Sequence, residues 1–102
     1  MRIFDQQRSK LHKEALMSDA QEKFVSMASA HIDLANQHGK TAGADLVAIA
    51  INHAAARYAA FAVTQTEPER LVRDREAIIT RLVDQYRDML NQHYDAYAQA
   101  TA

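Results

Sequence analysis

Residues 31–39, "HIDLANQHG", set two histidines seven apart beside an aspartate and an asparagine. Imidazole and carboxylate are zinc ligands, and they are also the groups of general acid–base catalysis. Further histidines stand at 12, 53 and 93. The stretch is therefore either a site or the end of an ordinary helix with one polar residue turned inward. Which it is depends on the elements that carry it.

Glycine and proline punctuate the chain at only three places, Gly39, Gly43 and Pro68, and strong helix formers fill the rest. This pattern predicts an all-α, up-down-up three-helix bundle with a long C-terminal helix. The first helix should start near Asp19, with Ser18 as N-cap and Gln21 as its capping-box partner. It should end at Gly39, which suits the left-handed C′ position. Phe24, Met27, Ala28, Ile32, Leu34 and Ala35 form its apolar face. The second helix should run from about Ala42 to Gln65, capped by Thr41. Its main seam is Val47, Ile51, Ala54, Tyr58 and Phe61, and a weaker one holds Leu46, Ile49, Ala56, Ala60 and Val63. The third opens at "TEPE", with Thr66 as cap, Pro68 in the first turn and Glu69 completing a capping box. It should continue to about Tyr97, with Leu71, Val72, Ile78, Ile79, Leu82, Val83, Tyr86, Met89, Leu90 and Tyr97 on its apolar arc.

At 1.5 Å per residue the helices measure about 30, 36 and 46 Å, so the third overshoots and leaves Tyr94 and Tyr97 beyond the first connection. Surplus apolar surface there and around Ile49 predicts self-association, as a homodimer. Arg75 falls on the apolar arc of the third helix. It either snorkels past Met27 to water or meets a carboxylate or anion across a dimer interface. The expected interface residues are Ile49, Arg75, Tyr94 and Tyr97.

These elements also limit the histidine chemistry. Below the first connection, His31 lies at about 12 Å, His53 at about 17 Å and His93 near zero, so His93 can approach only His38. Asp33 points away from the face that carries His31, and the chain contains no Glu-x-x-His pair of the di-iron kind. The plain reading makes His31 a core histidine bonded to Tyr86 or to a backbone carbonyl. The sharper one places a metal ion or small ligand between the first two helices, lined by His31, His53 and Tyr86. No catalytic residue, dedicated metal site or cofactor is expected. Ser26 and Ser29 face solvent, and "GKTAG" lacks the frame of a phosphate loop.

Twelve basic and thirteen acidic residues give a net charge of −1, so no nucleic-acid footprint is expected. Arg70, Arg73 and Arg81 alternate with Glu69, Asp74, Asp84 and Asp88, the pattern of a solvated, salt-bridged face. There is no cysteine, hence no disulfide or thiolate site. No uninterrupted apolar run approaches the roughly 20 residues of a membrane span. Residues 1–16 have no apolar signal region. The chain is therefore expected to be cytoplasmic and off the membrane. Residues 1–17 read as a dispensable extension before a native-like start at Met17, and residues 18–102 as one helical domain.

The segments "KFVSMASAHIDLANQ", "HAAARYAAFAV" and "VDQYRDMLNQHYDAY" resemble a small proteobacterial family, domain of unknown function 3144. The resemblance spans Ser18 to Tyr97 and centres on "HIDLANQ", residues 31–37. It departs at Phe24-Val25, where such proteins tend to carry an aromatic pair. The resemblance implies a helical bacterial domain starting near Met17 and supplies no catalytic residues. On these grounds the expected function is a binding or interaction module without catalysis. The alternative is the metal- or ligand-binding bundle.

Overall fold

A computed structural model describes the backbone of residues 2–101 and the side chains of residues 18–101. These residues form three helices, α1 (Arg2–Ala42), α2 (Ala44–Thr66) and α3 (Arg75–Thr101), with a 3₁₀ turn at Pro68–Arg70 and no strand. The expectation of an all-α chain holds. The chain divides into two compact units, Met1–Ile51 and Asn52–Ala102. The first holds α1 and the opening turns of α2. The second holds the rest of α2, the 3₁₀ turn and α3.

In the first unit the helix boundaries differ from those expected. Ser18 lies inside α1 rather than at its start. No glycine or proline precedes Gly39, and Arg, Gln, Lys, Leu and Ala before Ser18 all favour helix, so nothing stops the helix there. Gly39 does not end α1 either, and Thr41 does not cap α2. The break is one residue, Gly43, at φ +85°. Its N–H donates to the Gly39 carbonyl at 3.4 Å and its carbonyl accepts from Val47 N–H at 3.3 Å. One glycine thus closes α1 and opens α2, in a left-handed conformation that a side chain disfavours. Thr41 turns its hydroxyl back to the His38 carbonyl.

In the second unit "TEPE" does not form a capping box. The Glu67 N–H still donates to the Val63 carbonyl at 2.9 Å, so α2 continues through Thr66, whose hydroxyl returns to the Ala62 carbonyl at 3.0 Å. Pro68 then sits where its missing N–H is harmless and starts the 3₁₀ turn. The backbone resumes helix when Ile78 N–H donates to the Asp74 carbonyl at 3.0 Å.

Among the described residues only Val47, Val63 and Ile78 are buried apolar side chains. The expected apolar face of α1 is largely bare, with Phe24, Met27, Ile32 and Leu34 all at least half exposed. His31 is exposed too. It is not a core histidine, because the face that carries it is itself uncovered. Helix α2 is the most apolar of the three. Its 23 residues include an 18-residue window of mean hydropathy 1.4. By length and composition alone α2 reaches what a membrane span requires, although no unbroken apolar run does.

Candidate functional site

The densest polar constellation among the described residues lies at the α2–α3 connection. Glu67 follows the last residue of α2 and presents its carboxylate to two arginines. Its Oε1 accepts from Arg70 Nη1 at 2.7 Å, and its Oε2 accepts from Arg81 Nη2 at 2.6 Å. Asp74, whose carbonyl opens α3, accepts from Arg70 Nε at 2.8 Å and from Arg73 Nη2 at 3.0 Å. Arg70 therefore bridges both carboxylates.

The hydrogen bond from Arg81 is the main cause that holds the Glu67 carboxyl below its ordinary range. Arg73, then Arg70, lowers Asp74 to about 2. Both acids stay ionised and act as acceptors only, so neither is a general acid at neutral pH. Three arginines face two carboxylates, and each carboxylate is held by two of them. This chemistry holds a turn in place. The salt-bridged face read from the sequence is present, with Glu67 rather than Glu69, Asp84 or Asp88 as the central acid.

A second link ties α3 to α2 further along. The Tyr86 hydroxyl donates to Asn52 Oδ1 at 3.2 Å. Of the expected ligand-lining residues, His53 and Tyr86 belong to the second unit and His31 to the first. His53 neighbours Asn52 in sequence and is exposed on α2. No group of three or more His, Asp or Glu side chains that could hold a metal ion occurs among the described residues. His12 lies outside the side chains described.

The expected interface residues fall at exposed positions. Ile49 on α2 is 66% exposed, and Tyr94 and Tyr97 on α3 are 70% and 76% exposed. Arg75, the first residue of α3, reaches Glu76 Oε1 with its Nε at 3.9 Å across an exposed surface. Sequence reasoning missed Glu67 and Asn52. The signals were an acid directly before the only proline and an amide in the middle of the most apolar helix.

Residues 24–98 match a family described as a protein of unknown function, DUF3144. The match covers most of the chain, and the chain belongs to that family. No curated protein and no solved structure matches it.

Proposed function

We propose that this protein is a non-catalytic interaction module, working as a homodimer of up-down-up three-helix bundles in the cytoplasm. The observation that supports this reading is the exposure of large apolar side chains on both α2 and α3, Ile49, Tyr94 and Tyr97 foremost. Each such side chain gains about 1.5–3 kcal/mol when fully removed from water. A second copy is the commonest source of a covering surface. The functional unit is residues 18–102, which contain the family match at 24–98. Nucleic acid is not a partner on this reading. The net charge is −1, and the arginines of the α2–α3 connection are committed to Glu67 and Asp74.

The test is native mass spectrometry of the full chain, purified at neutral pH without chelators, with sedimentation equilibrium alongside. A dimer without added mass is expected. A monomer at tens of micromolar, or a stoichiometric metal or small molecule, would overturn the reading. In the second case His31, His53 and Tyr86 become the residues to vary.

A further inference from the structure

Helix α3 carries two adjacent apolar rows. Ile78, Leu82 and Met89 lie on the first, where Ile78 is buried. The second reads Ile79, Val83, Tyr86, Leu90, His93 and Tyr97. Its spacing is four, three, four, three, four, which is the heptad repeat of a coiled-coil seam. Its five apolar members are 41–76% exposed, and Tyr86, whose hydroxyl is bonded to Asn52 of α2, is still 47% exposed. The helix positions on the far side are polar and charged, with Arg81, Asp84, Asp88 and Asp95 among them.

We infer that this second row is the contact by which α3 packs against α3 of a second copy of the chain. The inference rests on the homodimer reading above and deepens it by naming the surface. Area supports the second copy as occupant. Aromatic side chains bury roughly 150–250 Å² each when covered. At the exposures of this row, with the neighbouring Tyr94 and Met89, about 700–800 Å² becomes available per copy, close to the roughly 800 Å² per partner of a stable interface. The repeat supports it independently. Knobs at four-three spacing fit the holes of a helix with the same spacing, and an identical α3 supplies them. His93 is the one polar member of the seam, the position that in paired helices fixes register and copy number.

The chain has no cysteine, so a single introduced thiol reports on its own surroundings. Tyr97→Cys places it in the seam at an exposed position, and Asp88→Cys places a control on the outer face. Maleimide labelling of each full-length variant is followed from low to high micromolar protein, with sedimentation equilibrium of the same samples. The expected result is that Tyr97→Cys labelling slows at least tenfold as the chain dimerises, while Asp88→Cys labelling does not change. A dimer whose two thiols label at equal rates overturns the seam and leaves the homodimer standing. A chain that never dimerises overturns both. Slow labelling of Tyr97→Cys at every concentration means that the same chain covers the seam, and also overturns it. Leu90→Asp supplies the converse. It is expected to give a helical monomer by circular dichroism and sedimentation, and a helical Leu90→Asp dimer overturns the inference.

Discussion

The Tyr86 hydroxyl and the Asn52 side-chain oxygen meet at 3.2 Å across 34 residues of sequence. This hydrogen bond links the middle of α3 to the first half of α2. A net hydrogen bond contributes about 0.5–1.5 kcal/mol, and this one sits at the low end because it is exposed. Tyr86→Phe should therefore cost about 0.5 kcal/mol in urea unfolding. Combined with Asn52→Ala it should cost less than the two single changes added together. Strict additivity in that double-mutant cycle would show that the bond contributes nothing.

Acid should loosen the α2–α3 connection. Glu67 and Asp74 both titrate lower in the folded chain than in the unfolded one, Asp74 to about 2. As pH falls, the unfolded chain binds these protons first. The stabilisation is thus fully present above about pH 5 and is lost as pH falls toward 2. Thermal unfolding of the Glu67→Gln, Asp74→Asn double variant should depend less on pH across that interval than the parent does. Parallel curves would remove the cluster from the acid response.

The two glycines should respond in opposite directions. Gly39 is helical, and an added Cβ would meet nothing within 4 Å, so Gly39→Ala should stabilise by about 1 kcal/mol. Gly43 holds φ +85°, where a side chain costs about 1–2 kcal/mol. Gly43→Ala should destabilise accordingly, or straighten the break between α1 and α2. Chemical denaturation of both variants decides, and the same sign for both would contradict the backbone assignment.

His31→Ala should change stability by no more than about 0.5 kcal/mol, as expected for a surface position without a special role. The side chain is exposed, so its loss leaves no cavity. A loss above about 2 kcal/mol, the range of buried polar positions, would mean that another surface covers it.

The chain should not insert into lipid, despite the apolar length of α2. Arg57 lies within that helix, and an arginine at mid-membrane costs about 2.5–3.5 kcal/mol even on insertion scales. Asn52 is also bonded to an α3 residue flanked by Asp84, Arg87 and Asp88. In flotation with neutral and anionic vesicles, the protein is expected to stay in the dense fraction. Recovery with the vesicles would overturn this expectation.

Helical content was legible because helix formers dominate and few residues interrupt them. The position of each break was legible only to within a few residues. Gly39 and Gly43 are equally able to leave the helix, and local sequence does not choose between them. Thr66 and Glu69 have the types and spacing of a capping box, yet Glu67 outweighs them because Arg81, fourteen residues later, captures its carboxylate. His31 looked internal because periodicity assigns faces without saying whether anything covers them. Ile78 and Val63 are covered, whereas Phe24 and Tyr97, on faces equally apolar, are not.

The links from α2 and the following turn to α3 span 34 and 14 residues. Contacts this local close quickly, and helical hairpins of low contact order fold in microseconds to milliseconds. Synthesis adds about 5–20 residues per second, or roughly 50–200 milliseconds for each. The hairpin of the second unit can therefore close as soon as α3 is free of the ribosome. Encounter with another copy then follows folding, at a rate set by concentration.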